Sequence, residues 1–279
     1  MGVIETLILT TAIAGVVGTG VGGLIGATLQ KDSNRVVSLL LSFAAGVMLS
    51  VVCFDLITEA IETGSGVFVV SGAVILGVAV IYLLNDQIDR KTNPEVPHID
   101  ANHPHTADDL DELIHSDHLK QHRANKDSKF SLFVAGIVMA SAIALHNVPE
   151  GMTIGASYAS NEGIMGSAAL VLAILIGLHN VPEGMAVSVP LISGGMGKVK
   201  AVLITAASGI PTIIGALLGY LLGDIGALGR ALSLGFASGA MLYVVFGEIM
   251  PQAILMYHSK LPAFSAIAGI LVGLFIIFA

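Results

Sequence analysis

Most of this chain is made of apolar runs about as long as a lipid bilayer is thick, and that length decides most of what it can fold into. Eight runs are read at about 3–29, 36–61, 66–85, 130–159, 163–192, 199–223, 231–257 and 261–279. A helix needs roughly 20 apolar residues to cross the hydrocarbon core, whereas a membrane strand needs about 10 and alternates in polarity. The runs have the first length and lack the alternation. Only 11% of the 279 residues are charged, against about 25% in soluble domains. The expected fold is therefore an all-α integral membrane protein with eight transmembrane helices in a single domain, 1–279. The first run carries Glu5, lacks a basic n-region and is too long for an h-region, so it is read as a helix of the mature protein. Cys53, the single cysteine, excludes an intrachain disulfide and is expected as a small packed residue.

The basic residues orient the helices. Loops after spans 1, 3, 5 and 7 hold eleven of the 12 Lys and Arg residues, from Lys31 to Lys260, while the alternate loops and both termini hold only Arg230. Positive charge stays on the cytoplasmic side, so both termini are expected outside a plasma (inner) membrane. The same alternation checks the span count, since losing one span would scramble it.

Two internal repeats follow. The segment from Leu41 to Val52 resembles that from Leu234 to Val245, with Asp55 then matching Glu248 and Ala60 matching Ala253. Span 2 runs outward and span 7 inward under the deduced orientation. Spans 1–3 and 6–8 are thus expected as inverted repeats around spans 4 and 5, a 3+2+3 arrangement of the kind transporters use, with a site near the midplane. Gly18, Gly22 and Gly26 on span 1, and Gly215, Gly219 and Gly223 on span 6, place small residues four apart, which lets helix backbones approach closely in lipid.

Only 86–129 is long and polar. It holds six of the nine histidines among acidic residues and is expected to be a flexible cytoplasmic loop with weak metal affinity.

The central pair carries the chemistry. His146-Asn147-Val148-Pro149-Glu150-Gly151-Met152 recurs unchanged 33 residues later as His179-Asn180-Val181-Pro182-Glu183-Gly184-Met185. On a helix, His and Glu at i and i+4 leave one face together. Six polar side chains in hydrocarbon are costly unless they line a pathway or hold an ion. Two imidazoles and two carboxylates suit one divalent ion, whether Zn²⁺, Fe²⁺, Mn²⁺ or a related ion such as Cd²⁺. The absence of Cys from the motif argues against a site specialised for Cu(I). Mixed nitrogen and oxygen ligands also allow release, which a closed thiolate cage would resist. Pro149 and Pro182 free the carbonyls of Leu145 and Leu178, Gly151 and Gly184 make room for close approach, and Met152 and Met185 are expected to pack. Asp55, Glu59 and Glu62 are candidates for attracting cations at the outer mouth, and Glu248 with His258 for a cytoplasmic exit.

The paired His-Asn-x-Pro-Glu-Gly motifs, the eight spans, the outward termini and the His-rich loop after span 3 together resemble the ZIP (Zrt/Irt-like) divalent-metal transporters, most nearly their bacterial zinc-uptake branch. That resemblance implies uptake toward the cytoplasm through a binuclear centre. It implies a first site of His146, Glu150, His179 and Glu183, joined by Met48 on span 2. It implies a second site at Asn147 and Asn180, bridged by the two glutamates. It also implies an elevator-like movement of spans 1, 4, 5 and 6 against the rest. Members of this branch carry a span-6 carboxylate where Ser208-Gly209-Ile210-Pro211-Thr212 places Thr212, so here the second site lacks that charge.

The expectation is a transporter and not an enzyme, with zinc or another divalent ion as substrate and no catalytic cofactor. Its partners are divalent ions and the lipid bilayer; homodimerisation is left open and nucleic acid is excluded. No Gly-x-x-x-x-Gly-Lys-Ser/Thr phosphate loop is present, which argues against ATP-driven pumping. An intramembrane zinc-dependent hydrolase is the alternative, weakened by the missing His-Glu-x-x-His arrangement.

Overall fold

A computed structural model describes residues 2–28, 34–92, 128–159 and 167–278. Among these residues the chain forms eight helical rods and no strand. They are α1 (Val3–Thr28), α2 (Arg35–Glu62), α3 (Val67–Thr92), α4 (Ser128–Tyr158), α5 (Ser167–Ser193), α6 (Lys198–Asp224), α7 (Ala227–Met256) and α8 (Leu261–Phe278). Among the described residues, seven of them, α1–α3 and α5–α8, are long and apolar enough, by length and composition, to cross a membrane. Helices are the natural outcome in such runs, because in lipid each backbone polar group must find its partner within the segment. Most of the His-rich stretch read at 86–129 lies outside the described residues. Its two ends are helical, since α3 runs on to Thr92 and α4 begins at Ser128.

Burial separates central helices from peripheral ones. Two-thirds of the apolar window of α2 and of α5 is covered, 67% in each, and 61% of that of α7. For α3 and α8 the covered share falls to 22% and 17%. Phe68, Phe264, Phe275 and Phe278 all stand exposed on these outer helices, the surface expected where lipid replaces water. Cys53 corrects its expectation: it is exposed on α2 instead of packed.

The rods pack in matched pairs. α1 lies along α5 and α6 along α4; α3 lies along α7 and α8 along α2. Glycine makes these contacts possible. A Cβ on Gly22 would overlap the Val181 carbonyl oxygen, and one on Gly184 would overlap that of Thr19. On the other side Gly215 meets the Val148 carbonyl and Gly151 that of Thr212. The spacing that aligns Leu41 with Leu234 also aligns Gly22 with Gly215 and Thr19 with Thr212, so the two interfaces use equivalent residues. Gly46 and Gly239, another such pair, approach the Ala266 and Val74 carbonyls.

Irregular turns follow the same pattern. π-helical turns interrupt α2 at Val51–Leu56 and α7 at Val245–Ile249, at matching places in the repeat. A third interrupts α1 at Ile13–Val17. Its counterpart on α6 is a break at Gly209 and Ile210, between Lys198–Ser208 and Pro211–Asp224. Such turns widen a helix locally and recur at functional sites.

Candidate metal centre

α4 and α5 each present the heptapeptide within an unbroken helix, with Pro149 and Pro182 inside. His146, Asn147, Glu150, Asn180 and Glu183 are all at most 1% exposed, and His179 is 3% exposed. Four residues of spacing put His and Glu on one face of each helix. Across the interface the pairs cross: His146 Nε2 stands 3.1 Å from Glu183 Oε2, and His179 Nε2 stands 2.8 Å from Glu150 Oε1. This crossing is what antiparallel neighbours produce, since parallel ones would place His opposite His and Glu opposite Glu.

His146, Glu150 and Glu183 each offer a ligand atom, and these atoms lie within 4.8 Å of one another. His179 reaches that group through its bond to Glu150 and is not itself part of the tight cluster. A purely structural ion pair would satisfy its remaining lone pairs with further hydrogen bonds. Here Glu150 Oε2, Glu183 Oε1 and the Nδ1 atoms of both histidines are buried without a hydrogen-bond partner. Two carboxylates and an imidazole converging at that separation, with acceptor capacity left over, can hold a divalent ion.

The asparagines have two ends with different surroundings. Asn147 Nδ2 donates to the Ser208 carbonyl at 2.8 Å, and Asn180 Nδ2 donates to the Ala14 carbonyl at 3.0 Å. The Oδ1 of each is buried with no hydrogen-bond partner, as is Thr212 Oγ1. Met48 is fully buried within the apolar cluster of α2, which also includes Met185. It is not among the residues lining the cavity beside His146. Met152 is buried too, so both motif methionines pack as expected.

That small cavity is lined by His146, Glu183, Glu248 and Gln252, with apolar walls from α2, α4 and α7. Glu248 was legible as a candidate from the repeat. Gln252 was missed, although its position one helical turn beyond Glu248 was a usable signal. At the opposite end of α2, Asp55 and Glu59 are half-buried and Glu62 is exposed. Ser157 Oγ of α4 donates to Glu59 Oε2 at 3.4 Å, so the end of α4 touches this acidic edge.

A family model described as ZIP Zinc transporter matches residues 4–279. The Zinc transporter ZupT of Clostridium perfringens is 34% identical over 277 residues, covering 95% of this chain and 92% of its own. That of Campylobacter jejuni is 35% identical over 264 residues, covering 88% and 86%. The Zinc transporter ZIPB of Bordetella bronchiseptica is 32% identical over 268 residues, covering 94% and 78%.

Proposed function

The chain belongs to the ZIP zinc transporter family, and from that premise we propose that it carries divalent metal ions into the cytoplasm by alternating access through the His146, Glu150, His179 and Glu183 cluster. It is a multi-pass inner-membrane transporter, not an enzyme, and zinc is its substrate. The intramembrane hydrolase finds no support. The observation that carries the route is the convergence of three buried ligand groups within 4.8 Å, with carboxylate oxygens left unsatisfied in an apolar interior.

Eight spans in a 3+2+3 arrangement are the architecture this reading requires. Matched burial of α1 with α6 (39% each), α2 with α7 (67% and 61%) and α3 with α8 (22% and 17%) supports inverted repeats in one domain, 1–279. The pairing of α1 with α5 and of α6 with α4 supports treating those four helices as one body. The remaining four, α2, α3, α7 and α8, make the other.

With basic loops inside and both termini outside, Asp55 and Glu59 lie toward the entrance. The cavity past His146 and Glu183 leads toward the inner end of α7, where Glu248 and Gln252 offer polar contacts for release. The second site has amide oxygens at Asn147 and Asn180 and a hydroxyl at Thr212. Any positive charge there is offset only by Glu150 and Glu183, which the first site shares. We assign the first site the principal load, with Met48 an accessory contact. The loop at 86–129 is then a regulatory element, and a homodimer is compatible with the broad lipid-facing surface.

Flux of Zn²⁺ into proteoliposomes tests the function. Orientation is tested separately in cells carrying Cys53→Ser. Ser65→Cys is expected to react with a membrane-impermeant thiol reagent in intact cells, and Gly197→Cys only after permeabilisation. The reverse pattern would invert the orientation.

A further inference from the structure

Helix α6 is interrupted where Pro211 supplies no N–H. The amides of Ile210, Thr212 and Ile213 turn instead to carbonyls three residues back, at Ala207, Gly209 and Ile210. The Ser208 carbonyl thereby loses its ordinary donor, the amide of Thr212. Asn147 Nδ2 of α4 takes that place at 2.8 Å. Helix α1 carries its π turn at the equivalent level, with the Gly18 amide reaching back to Ile13. Within that turn the Ala14 carbonyl accepts from Asn180 Nδ2 of α5 at 3.0 Å. The two irregular turns also abut, since a Cβ on Gly15 would overlap both the Gly209 carbonyl and Thr212 Oγ1. Each asparagine thus spans from a metal-bearing helix to the one carbonyl that a discontinuity leaves for it.

We propose that Asn147 and Asn180 are positioning residues, two buried clips that fasten the discontinuities of α6 and α1 to the helices carrying the metal cluster. A free carbonyl buried in an apolar interior is costly, so each clip stabilises a local backbone that would otherwise revert or fray. Because the donor end of the amide is committed, its buried Oδ1 is held in a fixed direction. The clips tie α1 to α5 and α6 to α4 through the amide nitrogens alone, while His146, Glu150, His179 and Glu183 carry the first site. Their consequence for transport rests on the two-body reading above; the clips themselves do not.

Hydrogen exchange on metal-free protein separates a clip from a ligand, because no ion is there to be held. In Asn180→Leu, amides 13–19 are expected to exchange about tenfold faster, the factor for one ordinary buried hydrogen bond, while 206–213 stay unchanged. Asn147→Leu is expected to give the opposite pattern. Asn→Ser at each position, too short to reach the carbonyl, is the second variant should a leucine variant not purify. Unchanged exchange, or equal loosening of both segments whichever asparagine is replaced, would overturn the proposal. If the segment-specific pattern appears but the maximal transport rate is unaltered, the clips stand and the two-body reading falls.

Discussion

Gly215→Leu is expected to yield no folded protein. A Cβ at this position overlaps the Val148 carbonyl oxygen and stands 2.8 Å from its carbon. The obstacle is helix backbone, which cannot rotate aside as a side chain can. Overpacking against mobile side chains costs about 1–3 kcal/mol. Displacing α4 from α6 forfeits a whole interface and exceeds that range, against a total stability of order 5–15 kcal/mol. Val148 is also two residues from Glu150, so any tolerated shift would disturb the cluster. Gly22→Leu should fail likewise through the Val181 carbonyl. Gly72→Leu is the control, with nothing within 4 Å of its Cβ position on exposed α3. Yield, size-exclusion profile and melting temperature distinguish them. If all three variants purified with the melting temperature of the native protein, the close helix approach would be refuted.

Glu150→Ala is expected to weaken Zn²⁺ binding by at least about 100-fold. Changes merely adjacent to a metal site already cost roughly 10–100-fold, and this one removes a ligand of the cluster itself. It also strips His179 of its 2.8 Å partner, leaving an imidazole in an apolar interior free to reorient. Glu183→Ala does the same to His146 through the other crossed pair. Equilibrium binding of Zn²⁺ or Cd²⁺ to purified protein reads both, and Glu150→Gln, which keeps the volume, separates lost charge from lost packing. Affinity unchanged in both alanine variants would place the ion elsewhere.

Much of this was visible in the residues. Run lengths gave the helices, because a bilayer fixes how long an apolar span must be. The duplicated heptapeptide located the cluster, because i, i+4 spacing has one meaning on a helix. The crossed pairing was implicit in the antiparallel order, yet the separations that exclude His179 from the tight cluster needed backbone positions. The irregular turns were beyond reach from sequence. Pro211 hinted at one of them, but nothing in Val51–Leu56 or Ile13–Val17 differs from ordinary helix-forming sequence. Those turns depend on interhelix contacts, and so the donor role of the asparagine amides was hidden with them. Cys53 failed for a simpler reason: even a central membrane helix can leave single apolar positions outside the bundle, so apolar surroundings do not signify burial.

Metal flux through defined membranes tests the central claim most directly. Native protein reconstituted into liposomes should move Zn²⁺ and Cd²⁺ down their gradients, read by an entrapped metal-sensitive dye. Vesicles carrying Glu150→Ala or Glu183→Ala at equal protein content should fall to the level of empty liposomes. Flux in both variants equal to that of the native protein would contradict the account.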